Sequence, residues 1–190
     1  MKERPILFSG PMVRAILAGT KTQTRRVVKP QTAILTDATA RSIGIQPPAR
    51  ENPPVIPCPY GAPGDLLWVR ETHAIVPASA YRCSREEDGS PVPHRVSPDG
   101  EEWAVYRAGW SRSDPHRWRP SIHMPRWASR LTLRVTDVRV ERLQAISEAD
   151  ARAEGVASVA EYAALWDAIN GAGSWAANPW VWAIGFEVVR

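Results

Sequence analysis

Lysine is scarce in this chain: of its 24 basic residues only three are Lys and 21 are Arg. A guanidinium presents a planar fork that grips phosphate in two places and stacks on bases, whereas an ammonium is a hydrated point charge. Each Lys is therefore conspicuous, Lys21 above all. Cysteine is nearly absent too. Cys58 and Cys83 belong to no Cys-x-x-Cys pair and to no His/Cys spacing suited to zinc, so two reduced thiols are the default, with no metal and no cofactor expected. No apolar run approaches the ~20 residues of a membrane-spanning helix. The first residues lack the long apolar segment of a secretory signal, which predicts a soluble, cytoplasmic protein. There is no internal repeat.

What is present argues for one ordinary hydrophobic core. A hydrophobic fraction of 44% with nine Trp is too high for a disordered chain, and 190 residues leave little for a second core, so 1–190 is expected to be a single domain. The net charge of +4 permits a polyanionic partner without requiring one.

Along the chain, Pro5 to Phe8 predicts a short strand, and Ser9-Gly-Pro11 opens a helix whose Met12, Val13, Ile16 and Leu17 share one face before Gly19 closes it. The polar, basic turn Thr20 to Arg26 follows and is expected at the mouth of a site. Residues 30–63 hold eight of the eighteen prolines and show no periodicity, which predicts an irregular excursion. Leu66 to His73 predicts a strand, with Leu67, Val69, Glu71 and His73 on one face, so that a carboxylate sits among apolar neighbours. Residues 74–126 predict a loop-rich insertion, strand-like near Trp103 to Ala108. Arg130 to Val140 alternates cleanly, with a possible bulge at Asp137. Ser147 with Asp150, and Ser158 with Glu161, are capping-box signatures for two helices ending at Gly155 and at Asn170-Gly171. Trp180 to Val189 is apolar on both faces and predicts a strand inside a sheet.

The segment Gly19-Thr-Lys21-Thr-Gln-Thr24-Arg-Arg26, coming off that helix, resembles the G-x-K-x-x-x-x-R signature of the ASCH family. The order of parts is similar as well: helix, motif, Gly64-Asp65 turn with a strand, alternating strand, helical pair and closing strand. More narrowly, through Arg4 to Met12, Ile122 to Arg130 and Asn178 to Trp182, the chain resembles ASCH-like proteins of phages and prophages. The resemblance implies an α+β fold, a PUA-like mixed β-barrel with helices at its ends and here a large loop-rich insertion. It also implies an RNA-related role, with RNA, a single-stranded nucleic acid or a modified nucleoside as partner. Some small members similar in the Lys-x-x-Thr stretch are amidohydrolases acting on N4-acetylcytidine, and others are ribonucleases. In the amidohydrolase branch an acid lies on the long strand, where this chain has Arg134.

Two sets of residues follow as candidates. Lys21, Thr24 and Glu71 form a catalytic set if Lys21 takes the Thr24 proton and Glu71 shuttles it to a leaving amine. In the blander reading Lys21 and Arg26 grip phosphate, Thr24 caps a turn and Glu71 pairs with an arginine. The second set, Arg25, Arg26, Trp68, Arg70, Arg117, Trp118, Arg119 and Arg126, interleaves cations with indoles as nucleic-acid binding surfaces do. Nucleic-acid or nucleotide binding in a basic cleft around Lys21 is the leading expectation. A hydrolase is the alternative, and a phage assembly or host-interaction protein the third. Oligomeric state and the choice of RNA, DNA or free nucleoside are left open.

Overall fold

In the computed structural model, residues 1–29, 57–80, 93–112 and 114–189 are described. Most of the Pro-rich excursion (30–56), residues 81–92 of the insertion with Cys83, and residue 113 lie outside them.

The chain begins with strand β1 (Glu3–Leu7) and helix α1 (Gly10–Leu17), which starts after Ser9 with a proline in its first turn. Strand β2 is Gln23–Val27, β3 is Leu66–Arg70, and β7, the long alternating segment, is Thr132–Arg142. Helix α2 (Glu148–Ala153) carries the full Ser147/Asp150 capping box, and α3 (Val159–Asn170) is capped by Ser158 and closed at Gly171. Strand β8 is Trp180–Val189.

These strands form a five-stranded sheet in the order β1-β3-β7-β8-β2. The β1–β3 pair is parallel and the others are antiparallel. β8, apolar on both faces, lies inside the sheet between β7 and β2. The expected bulge is a register shift between Val135 and Asp137. It keeps Val138 and Val140 on the face of Leu133 and Val135. That inner face meets Val13 and Ile16 of α1 in the main core with Ile6, Leu67, Ile184 and Phe186. The outer face is covered over β8 by α2 and α3, through Leu143, Ile146, Tyr162, Trp166 and Val181. β1 and β2 are the two ends of the strand order, so the described strands form an open α+β sheet with α1 on one face.

The strand expected over Leu66 to His73 is divided. After Arg70 the chain leaves the large sheet, and His73–Pro77 (β4) joins Arg95–Val96 (β5) and Glu102–Tyr106 (β6) in a second, three-stranded sheet, ordered β4-β6-β5. The cause is visible at the break. Glu71 turns inward to Arg130, and His73 exchanges two backbone hydrogen bonds with Arg119. The region expected to be loop-rich thus contains a small sheet. No described helix is long and apolar enough to cross a membrane.

Candidate functional site

Opposite residues of antiparallel strands point to the same face. The registers therefore place Gln23 and Arg25 of β2, Ala183 and Gly185 of β8, and Asp137 and Arg139 of β7 together on the outer face. The central strand contributes only small residues there. The space they leave holds two arginines, and α2 lies over it with Asp150 and Glu154 one helical turn apart.

Arg25, with no exposed side-chain surface, donates to Glu141 through Nε (2.9 Å), to Gln23 (2.6 Å) and to Glu154 (3.1 Å), and lies 3.3 Å from Asp150. Arg139 donates to Glu141 (3.0 Å) and Asp150 (2.7 Å). Lys21 enters the same cluster from the turn before β2. Its ammonium donates to the Glu154 carboxylate at 2.7 Å and to the Glu154 carbonyl at 2.9 Å, with the side chain 1% exposed. Burial pulls the Lys21 pKa below its ordinary value, and the Glu154 charge and hydrogen bond oppose that pull. Tyr162, which also hydrogen bonds Glu154, has its phenol pushed well up by burial. Arg139 also pairs with Asp137 at 3.2 Å, so three cations face four carboxylates and the surroundings of Lys21 are acidic in balance rather than basic.

A cleft of about 70 Å³ runs along β2, between Met12 of α1 and Leu165, Trp166, Ile169 and Asn170 of α3. Thr24, Arg25, Arg26, Val27, Glu154 and Tyr162 complete its lining. Among the described strands β2 ends the sheet, so one of its edges pairs with no described strand. Phe186 N–H donates to Thr22 and Val28 N–H to Trp180, so alternation turns the backbone groups of Thr24 and Arg26 toward β8. Those of Gln23, Arg25 and Val27 face the open edge. Arg26 sits over the Phe8 ring at 5.3 Å and donates to the Leu7 carbonyl.

The catalytic set expected from sequence is not gathered in one place. Thr24 is buried on the inner face beside Ile184 and lines the cleft. Glu71, 1% exposed, gives both carboxylate oxygens to Arg130 at 2.8 and 2.9 Å. Burial lifts the Glu71 pKa, and the Arg130 hydrogen bonds and charge act the other way. The carboxylate that meets Lys21 is Glu154.

The cationic set is divided as well. Arg25 is enclosed by acids, while Arg26 lines the cleft. Trp68 lies on the outer face of β3, with the Arg70 and Arg126 guanidinium carbons at 5.3 and 5.8 Å from its ring. Arg70 donates to the Ile122 carbonyl and Arg126 pairs with Glu3. Arg117, Trp118 and Arg119 line a separate groove with His123. Among the described residues no group of three or more His, Cys, Asp or Glu is placed to hold a metal. Cys58 is a free thiol.

No family model and no curated protein matches the chain. Among solved structures it is similar to an ASCH domain from Lactobacillus crispatus JV V101, with 12% identity and a TM-score of 0.43 over 98% of this chain and 79% of that one. It is also similar to a DUF984 protein from Enterococcus faecalis V583, with 12% identity and a TM-score of 0.38 over 100% of this chain and 80% of that one.

Proposed function

We propose that this chain, as a single PUA-like domain, is a nucleic-acid or nucleotide binding protein of RNA-related function that receives the edge of a base at the mouth of the cleft along β2, whose roughly 70 Å³ admits part of a ring. The observation that carries this reading is the edge of β2, unpaired among the described residues, inside a narrow slot lined by both apolar and polar side chains. The outward N–H and C=O groups of Arg25 and Val27 offer a donor and acceptor row to the hydrogen-bonding edge of a base, and Met12, Leu165 and Ile169 contact its faces. Arg26, at the same lining, supplies the charge for an attached phosphate. Lys21 serves indirectly: paired with Glu154, it fixes the floor rather than gripping phosphate.

Calorimetric titration of the whole chain with the four ribonucleosides and their 5′-monophosphates tests it. Saturable binding is expected, tighter for a monophosphate than for its nucleoside, with Arg26→Gln removing that difference. No heat of binding for any of them contradicts the reading.

A second reading, hydrolysis of an N4-acylated cytidine, is favoured by one observation: Glu154, the carboxylate that reaches Lys21, lines the cleft together with Thr24. The acid in this chemistry is then Glu154, since Glu71 is engaged by Arg130. Release of acetate from N4-acetylcytidine, lost in Lys21→Arg and Thr24→Ala while cytidine binding persists, supports hydrolysis. Binding without acetate release leaves the binding module.

A further inference from the structure

Away from β2, the segment between Tyr106 and His123 builds two open grooves that meet at a pair of indoles. One, of about 440 Å³, is lined by Arg14, Leu17, Tyr106, Trp110 and Arg130 among others. The other, of about 500 Å³, is lined by Arg117, Trp118, Arg119, Pro120 and His123. Trp110 and Trp118 form the ridge between them, with ring centroids 5.7 Å apart and planes inclined at 78°. The Arg107 guanidinium carbon lies 5.2 Å from the Trp118 ring. Arg14, Arg107, Arg117, Arg119 and His123 are exposed, and neither groove has a carboxylate in its lining among the described residues. Arg130 is balanced by Glu71, so Arg14 is the net cation of the first groove.

The ridge is built rather than draped. Both indoles rest on the buried Ala74, Val76 and Val105 of the small sheet. Arg119 is tied to His73 by hydrogen bonds in both directions, 2.7 and 3.2 Å long, which fixes the second groove to β4.

We propose that this ridge is a platform for single-stranded nucleic acid, with one base stacked at each indole and the backbone following the arginines. An acidic peptide would satisfy the cations but offers the indoles a planar face only where it carries an aromatic residue, whereas every nucleotide brings one beside its phosphate. A duplex would satisfy the phosphate contacts, yet its successive bases are parallel and cannot lie on rings inclined at 78°. A single strand can rotate between two nucleotides to meet both. The platform is independent of the cleft along β2, which a free nucleoside addresses by itself.

Fluorescence anisotropy with a labelled oligo(U) or oligo(dT) about 12 nucleotides long, on the full chain at about 50 and 200 mM salt, tests the proposal. Expected are binding at low salt and a steep loss at the higher salt. The exposed double variant Arg117→Gln/Arg119→Gln should flatten the salt dependence by about 1.4 in log–log slope, about 0.7 per lost contact. Trp118→Leu should weaken binding about tenfold and Trp118→Phe much less, because a phenyl ring still stacks. A duplex of the same length should bind more weakly than either strand. The proposal is overturned if wild type shows no binding at tens of micromolar protein in low salt, if the arginine double variant binds as wild type does, or if duplex and single strand bind alike. Displacement of the oligonucleotide by free nucleoside would place the strand in the cleft instead, and overturns it equally.

Discussion

Buried guanidinium groups in this chain neutralise buried acids, and the energetics of that pairing are asymmetric. Removing one partner of a buried pair strands a charge at about 3–5 kcal/mol, whereas replacing both with apolar groups can be neutral. Arg130→Met should therefore destabilise strongly by leaving Glu71 unpaired, and Glu71→Leu/Arg130→Met should recover most of the loss in urea unfolding. A double variant no better than the single one would refute this. Arg134 and Glu187, only 2.9 Å apart but half exposed, should matter far less, within about 1 kcal/mol. Asp150 links the outer cluster to pH. Burial raises its pKa, but Ser147, Arg139 and Arg25 together bring it down to about 2. An unfolded Asp titrates near 3.9, so this contribution is complete above about pH 4 and is lost as the pH falls toward 2. Asp150→Asn should lower stability at neutral pH and flatten the acid limb of the stability curve. At this scale alternation alone placed Glu71 on one face with Leu67, Val69 and His73, and the structure buries all four. The partner of Glu71, 59 positions away, was not legible, because ion pairing across strands leaves no local period. Glu154 was missed although a signal existed: it stands four residues after Asp150, at the C-cap of a helix whose start was evident, over the small Ala183 and Gly185 of an otherwise bulky strand.

Among the elements, α2 is the one on which the site turns. It is only six residues long, and its end is fastened to the Lys21 turn by Thr22 N–H donating to Ala153 at 2.8 Å. Gly155 then turns the chain away at a φ of +88°, where a Cβ would lie 3.3 Å from the Cβ atoms of both Ala15 and Lys21. Gly155→Ala should cost about 1–2 kcal/mol for the left-handed backbone and weaken nucleotide binding by displacing Lys21. Unchanged stability and affinity would argue against this coupling. Caps, helix ends and the β7 bulge were legible because each is written in residues close together in sequence. The division of the 66–73 strand was not, since its alternation continues unbroken through the point where the chain changes sheets.

For the whole molecule, the small sheet escaped sequence reading because β5 has two residues, too few to show a period. Its consequence is that the candidate cations, which read as one set in sequence, occupy separate surfaces: the cleft, the outer face of β3 and the indole ridge. In the proposed function a base is recognised at the first of these, along the edge of β2. Amide chemical shifts of the isotopically labelled chain, followed as a ribonucleoside monophosphate is added, read out that edge, residue by residue. Saturable shifts are expected, concentrated at Gln23, Arg25 and Val27, with Met12 and Ile169 following at the same ligand concentration. Shifts confined to the Trp110–Trp118 ridge, with the β2 amides unmoved at saturation, would contradict the proposed function.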